Sequence, residues 1–226
     1  AVSKIVAEQR NLIVSTGTGS GKTESFLIPI LDHLLREEAA GTLDQPGVRA
    51  LLLYPMNALA NDQLKRLRKI LSRYPAITFG RYTGETEAKE ERAKERFFDQ
   101  FPHDELLPNE LISRSAMQAA PPHILLTNYA MLEYLLIRPE DCEFFDGPTG
   151  RHWRFIVLDE AHIYDGAIGI EMSMLLRRLK DRVVESTPGR LRCIATSATL
   201  GGGAKDYPKA VAFASNLFGE PFAWDP

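Results

Sequence analysis

Short apolar runs rich in branched side chains alternate along this chain with segments whose apolar residues recur at helical spacing. Such runs are typical of parallel strands, because both faces of those strands are buried. The predicted strands are Leu12–Ser15, Arg49–Tyr54, Ile77–Tyr82, His123–Thr127, Phe155–Asp159 and Leu191–Ser197. Repeated strand–helix units predict right-handed crossovers and an α/β fold, with a mostly parallel sheet and helices on both faces.

The segments between the strands differ in character. Residues 25–36 and 59–74 have a helical period, and the second segment leaves a group of basic residues outside its apolar face. That group consists of Lys65, Arg66, Arg68, Lys69 and Arg73. Residues 85–100 alternate in charge and predict an exposed helix, whereas residues 101–122 have a weak period and recurring prolines. We therefore expect residues 85–122 to form a charged helix followed by a surface excursion.

A glycine-rich segment joins the first predicted strand to the first predicted helix. It reads Thr16-Gly17-Thr18-Gly19-Ser20-Gly21-Lys22-Thr23. The glycines allow the backbone to fold tightly and to turn successive N–H groups toward an anion, and the helix dipole favours the same anion. Lys22 supplies a cation for terminal phosphates, and the Thr23 hydroxyl can bind the magnesium that bridges them. The segment predicts a nucleotide site, although the generic pattern has glycine where Thr16 stands.

Two acids, Asp159 and Glu160, end the apolar run Phe155–Leu158. The carboxyl ends of parallel strands are where ligands of open α/β sheets bind. Asp159 is suited to hold magnesium, and Glu160 is suited to orient or deprotonate the water that attacks a terminal phosphate. Together with the glycine-rich segment, this pair predicts nucleotide hydrolysis.

The composition limits the class of protein to which this chain can belong. The chain has 226 residues, 44% hydrophobic and 25% charged, which is ordinary for a globular core. No apolar stretch is long enough to cross a bilayer, so we expect no membrane partner and a cytoplasmic, nucleoid-associated location. The two cysteines form no metal pattern. The net charge of −3 gives no support to nucleic-acid binding, because such proteins tend to be basic.

Six motifs, in this order, resemble the first motor domain of superfamily 2 helicases of the DEAH-box kind. They are Thr16–Thr23, Tyr54–Ala60 with Gln63, Tyr82–Gly84, Thr127–Leu132, Asp159–His162 and Thr196–Thr199. The residues after Asp159–His162 are similar to those of bacterial and fungal DNA-repair helicases that move 3′ to 5′, and of large bacterial helicases associated with phage defence.

The resemblance implies a RecA-like P-loop NTPase domain that uses ATP and Mg²⁺. In such domains the positions of Thr16–Thr23 bind the nucleotide, and those of Thr23 and Asp159 bind the metal. The resemblance gives catalytic roles to Lys22, Asp159, Glu160 and His162. It also implies that the segment Ser197-Ala198-Thr199 couples the nucleotide state to the strand-binding surface.

The same resemblance implies contacts to a sugar–phosphate backbone, with single-stranded DNA as the expected track. The implied contact residues are Pro55, Asn57, Thr83, Gly84, Thr127 and Asn128. Backbone contacts carry no sequence information, which suits a motor. The family often has a basic residue at the position of Asn57, and an amide there can hydrogen-bond a phosphate oxygen without releasing a counterion.

We expect residues 1–226 to be one ATP-binding domain of a longer protein, with residues 219–226 beginning a linker to a second motor domain. Repair or phage-defence proteins are the expected partners. Two alternatives stay open from the sequence. One is a motor that translocates on duplex DNA without separating its strands, and the other is a module that uses nucleotide to clamp a nucleic acid or protein.

Overall fold

The computed structural model describes residues 2–15, 21–198 and 206–223. The chain forms two compact units, one from Ala1–Arg36 with Arg154–Pro226 and the other from Glu37–Trp153. All the strands lie in parallel ladders, as the alternation of strands and helices predicts.

The first unit is built on three parallel strands in the order β1, β7, β6. These strands span Leu12–Ser15 (β1), Phe155–Leu158 (β6) and Arg192–Ser197 (β7), and the helices are α1 (Val2–Val6), α2 (Lys22–Ala39), α7 (Gly166–Val184) and α8 (Tyr207–Phe218). β6 and β7 are almost wholly buried, which explains why they lack a polar alternation. A short 3-10 turn, Ala161–Ile163, follows β6.

The second unit has four parallel strands in the order β2, β5, β3, β4. They span Ala50–Tyr54 (β2), Phe79–Arg81 (β3), Glu110–Leu111 (β4) and Ile124–Asn128 (β5). Its helices are α3 (Asn57–Leu71), α4 (Glu90–Gln100), α5 (Arg114–Ala119) and α6 (Tyr129–Ile137), with 3-10 turns at Pro139–Phe144 and Thr149–His152.

The six predicted strands are confirmed, with boundaries that move by no more than two residues. The surface excursion predicted for residues 101–122 is wrong in part, because this segment contains β4 and α5. Asn109 explains the error: its amide is buried and donates to the carbonyls of Leu71, Tyr74 and Ile77, so a polar residue fills an interior position.

Each unit brings a different set of predicted site residues to the carboxyl edge of its strands. In the first unit, β1, β6 and β7 lead into the segments that begin at residues 16, 159 and 198. In the second unit, β2, β5 and β3 lead into residues 55, 129 and 82. Parallel neighbours end at the same edge, so motifs far apart in sequence meet within each unit.

Candidate active site

The glycine-rich segment leads into α2, which begins at Lys22. Gly21 has a φ of +79°, a left-handed conformation that glycine adopts at little cost. Thr23 lies in the first turn of α2, where the helix dipole favours anions. The expectations for Thr16, Gly17, Thr18, Gly19 and Ser20 concern residues outside the described ranges.

Lys22 and Glu160 form an ion pair, although 138 positions separate them in sequence. The distance from Lys22 Nζ to Glu160 Oε1 is 3.2 Å, and the two side chains are 11% and 22% exposed. The structure therefore brings together the cation predicted for phosphate and the acid predicted for water. A terminal phosphate bound at Lys22 would lie within reach of the Glu160 carboxylate.

Asp159 follows β6 and is buried. Its Oδ1 accepts a hydrogen bond from the Thr196 hydroxyl of β7. Burial raises the pKa of Asp159, and the Thr196 hydrogen bond opposes that rise. A divalent cation would favour the ionised form of this carboxylate, and carboxylate and hydroxyl oxygens are hard ligands that suit Mg²⁺.

Thr196 is a site residue that the sequence predictions missed. Besides donating to Asp159, its Oγ1 accepts a hydrogen bond of 3.3 Å from the Glu160 N–H. One hydroxyl thus positions both acids. Its position at the start of the Thr196–Thr199 motif could have identified it. The resemblance gave a role only to the later residues of that motif.

His162 connects Glu160 to the end of β7. His162 Nδ1 lies 3.4 Å from Glu160 Oε2 and 3.3 Å from Ser197 Oγ. A change in the position of Glu160 therefore has a direct route to Ser197, and from there to the segment that continues through Ala198. Thr199, the last residue expected to take part in coupling, is outside the described ranges.

Tyr164 adds a buried hydroxyl to this end of the unit. Burial raises its pKa, and the negative charge of Asp159 raises it further, so the phenol stays protonated near neutral pH. Asp165 then begins α7, accepting a hydrogen bond of 2.8 Å from the Gly166 N–H. The Asp165 carboxylate thus caps the start of α7.

In the second unit, amide hydrogen bonds join two predicted motifs to each other and to Glu85, the residue that follows the motif Tyr82–Gly84. Asn128 Nδ2 donates to Asn57 Oδ1 at 2.7 Å, and Asn57 Nδ2 donates to Glu85 Oε1 at 3.0 Å. Asn128 also caps α6 by accepting from the Met131 N–H. Asn57 and Asn128 are half-buried, so both remain at the surface of this edge.

Two of the predicted nucleic-acid contacts are inside the unit. Thr83 and Thr127 are fully buried. The Thr127 hydroxyl donates to the Tyr82 carbonyl at 2.6 Å, and the Thr83 hydroxyl accepts from the Glu85 N–H at 3.3 Å. Both hydroxyls are therefore used inside the unit, and a contact of these two residues with a strand stays a prediction. They hold the loop on which Gly84 is exposed.

Arg68, one member of the predicted basic group, and the more distant Lys180 are both structural. Arg68, on α3, pairs with buried Glu110 at 2.8 Å and stacks over the Phe97 ring. Lys180, on α7, pairs with Glu220 at 2.8 Å. Within the described ranges, no helix is both long enough and apolar enough to span a membrane.

Comparison with known proteins supports the family resemblance. The DEAD/DEAH box helicase family matches residues 1–207. Druantia protein DruE of Escherichia coli is 34% identical over 84% of this chain and 15% of that protein. The ATP-dependent helicase hrq1 of Schizosaccharomyces pombe is 30% identical over 84% of this chain and 15% of that protein.

Solved structures confirm the RecA-like fold. The DUF1998 helicase MrfA, in a crystal structure bound to DNA and AMPPNP, matches with a TM-score of 0.69 and 25% identity, over 98% of this chain and 25% of that chain. The DEAD-box helicase Mss116, bound to ssRNA and UDP-BeF, matches with a TM-score of 0.65 and 21% identity, over 93% of this chain and 35% of that chain. This chain spans about 15% of the length of DruE and about 15% of the length of hrq1.

Proposed function

This chain belongs to the DEAD/DEAH box helicase family, and on that premise we propose that it is the first motor domain of a helicase that couples ATP hydrolysis to movement along DNA. The observation that carries the proposal is the series of contacts from Lys22 to Glu160, then to His162 and Ser197. It links the phosphate-binding cation to the hydrolytic acid and then to the coupling segment.

The residues divide the chemistry between them. Residues 16–23 would bind the phosphates of ATP, with Lys22 at the terminal ones. Thr23 and Asp159 would hold Mg²⁺, which would supply positive charge to offset the charge that develops on the phosphates. Glu160 would orient the attacking water and accept its proton. Thr196 would keep both acids in position.

Coupling would follow from the exchange of partners at Glu160. A terminal phosphate would compete with Glu160 for Lys22, and a released Glu160 carboxylate would shift against His162. Ser197 and Ala198, together with Thr199, would pass that shift toward the strand-binding surface. This role for Ser197 rests on its 3.3 Å distance to His162.

The strand would lie along the carboxyl edge of the second unit. Pro55, Asn57, Gly84 and Asn128 would contact the sugar–phosphate backbone, because they are at the surface of this edge. The buried hydroxyls described above would position them. DNA is favoured as the track because MrfA, which is similar over nearly all of this chain, was solved bound to DNA.

The whole protein would contain more than this domain. A second motor domain would complete the active site, and repair or phage-defence proteins would be partners. We also propose that the protein acts on DNA in the cytoplasm, in association with the nucleoid. The similarity to DruE and to hrq1 supports a large multidomain protein, since both relatives are several times longer than this chain.

The test is the DNA-stimulated ATPase of the intact protein. Lys22→Ala and Glu160→Gln should each lower the stimulated turnover by several orders of magnitude, because each removes a group that acts on the reacting phosphate or water. Lys209→Ala and Glu95→Gln are matched controls, as both residues are exposed and lie outside the site. Retained turnover in both site variants would contradict the proposal.

Two further assays separate the motor from its alternatives. Unwinding of a forked duplex supports a helicase, whereas displacement of a triplex-forming strand without unwinding supports a duplex translocase. Tight nucleotide and DNA binding with no turnover in the wild-type protein would support the nucleotide-gated clamp.

A further inference from the structure

One carboxylate at the edge of the second unit is bound by two side chains that are suited to a phosphate. Glu85 Oε1 accepts from Asn57 Nδ2 at 3.0 Å, and Glu85 Oε2 lies 3.2 Å from a guanidinium nitrogen of Arg81. Arg81 also donates to Asn61 Oδ1. The Arg81 side chain is 18% exposed and that of Glu85 is 40% exposed, so the pair lies at the surface with the arginine beneath the acid.

The donors in this group are rigidly placed. The Asn57 amide is oriented by Asn128, which donates to its oxygen at 2.7 Å. Arg81 is the last residue of β3, and Asn57 is the first residue of α3. A guanidinium beside an amide N–H presents donors to two oxygens of one anion, which matches a carboxylate and also the two non-bridging oxygens of a phosphodiester.

We propose that Arg81 and Asn57 form a binding site for a backbone phosphate of the nucleic-acid strand, and that Glu85 occupies this site until the strand displaces its carboxylate. The inference rests on the proposed function, because it requires a strand along this edge. It adds a contact residue, Arg81, which lies outside the six motifs, and it gives the Asn57 amide a specific ligand, a backbone phosphate.

The displaced Glu85 carboxylate could move into a neighbouring cavity. A cavity of about 390 Å³ adjoins the pair, and both Arg81 and Glu85 line it. Its wall also carries Lys65 and Arg96, and Arg96 already donates to the Glu85 carbonyl at 2.8 Å. A Glu85 side chain that rotates into this cavity would move toward these cations, one of which, Arg96, also pairs with Glu87 at 2.9 Å.

This exchange has a consequence for salt dependence. Strand binding neutralises phosphates and releases their counterions, which makes affinity fall with salt. In the wild-type protein, the charge of Arg81 is already balanced by Glu85, so this phosphate contact contributes little net charge. In Glu85→Gln, Arg81 loses its paired carboxylate and keeps only the weaker influence of Glu110. The phosphate then meets an additional net positive charge.

The experiment measures binding of the intact protein to a fluorescein-labelled oligothymidine by fluorescence anisotropy over a range of salt concentrations. Glu85→Gln should bind roughly threefold to tenfold more tightly at low salt, with a slope of log affinity against log salt that is steeper by about 0.7. The matched control is Glu90→Gln. Glu90 forms the same kind of pair, with Lys94 at 2.9 Å and four positions away, and its side chain is 45% exposed.

A double-mutant cycle assigns the effect to Arg81. Arg81→Gln should weaken binding, and Glu85→Gln should give no gain in the Arg81→Gln background. Arg81→Lys keeps the cation but loses the planar pair of donors, so it should keep the salt slope while losing affinity. A variant in which the loop is misfolded would lose both the affinity and the salt slope.

The inference is overturned if Glu85→Gln binds no more tightly than the wild type, if Glu90→Gln produces the same gain, or if the gain persists without Arg81. Failure of the proposed function has a different signature. In that case the wild-type protein itself would neither bind the oligonucleotide nor show ATPase stimulation by DNA.

Discussion

Glu160 is held in a backbone conformation that is uncommon for a residue with a side chain. Its φ is 50° and its ψ is 47°, in the left-handed region, which costs on the order of 1–3 kcal/mol when the surroundings impose it. The turn aims its carboxylate at Lys22 and His162 together. The hydrogen bond from the Glu160 N–H to the Thr196 hydroxyl helps to hold this turn.

Thr196→Val should lower the stimulated ATPase turnover number by roughly 10- to 100-fold, which is the usual effect of removing a group that orients a metal ligand. Valine keeps the shape of the side chain but removes the hydroxyl that contacts Asp159 and Glu160. Because Asp159 is also the expected metal ligand, the Mg²⁺ concentration for half-maximal activity should rise. Steady-state ATPase assays at several Mg²⁺ concentrations measure both quantities.

Thr42→Val is the control for this substitution. Its hydroxyl donates to the Glu37 carbonyl at 3.2 Å on the exposed surface of the other unit. Equal turnover and an equal Mg²⁺ requirement in Thr196→Val and in the wild type would show that the hydroxyl does not position the acids.

At the scale of elements, an ion pair fastens the short strand β4 to α3. Arg68 Nε lies 2.8 Å from Glu110 Oε2, and these side chains are 11% and 3% exposed. The contact of Arg68 with Asp104 is different, since that acid is 55% exposed. Burial raises the pKa of Glu110, even though the charge of Arg68 opposes that rise.

Arg68→Ala should lower the free energy of unfolding by about 3 kcal/mol near neutral pH, because it leaves a buried carboxylate without its cation. The loss relative to the wild type should grow as the pH rises above the pKa of Glu110 in the folded wild type, which burial already raises above the ordinary value. Glu110 in the folded variant keeps its proton to higher pH than it does in the unfolded chain, so raising the pH removes stability. Urea unfolding at a series of pH values measures the effect.

Asp104→Asn provides the comparison for that prediction. An exposed ion pair contributes less than about 1 kcal/mol, so this variant should unfold close to the wild type at every pH. A similar loss in the two variants would indicate that burial of Glu110 is not the cause.

At the scale of the whole molecule, the sequence predicts the strands and the motif positions well, and it predicts the contacts between them poorly. Apolar runs such as Phe155–Leu158 follow directly from burial on both faces. The two residues of β4 are too few to show a period. The pairing of Asn57 with Glu85 joins residues 28 positions apart, and they meet because β2 and β3, on either side of β5, end at the same edge of the sheet.

The 226-residue chain on its own should bind ATP with Mg²⁺ at an affinity close to that of the intact protein. The reason is that Lys22, Thr23, Asp159 and Glu160 all belong to its first unit. Its turnover should be lower by roughly three or more orders of magnitude and insensitive to DNA. The proposed second motor domain would supply an arginine to the transition state, and such arginines contribute about 10³–10⁵ to turnover.

Nucleotide binding by calorimetry and turnover with and without single-stranded DNA, measured on both proteins, check this prediction. Glu160→Gln in the isolated chain is the matched control, since it should bind ATP while abolishing the residual turnover that this site produces. Full DNA-stimulated turnover by the isolated chain would contradict the prediction. It would mean that these 226 residues hold every group the transition state requires, and that further domains serve only to engage the strand.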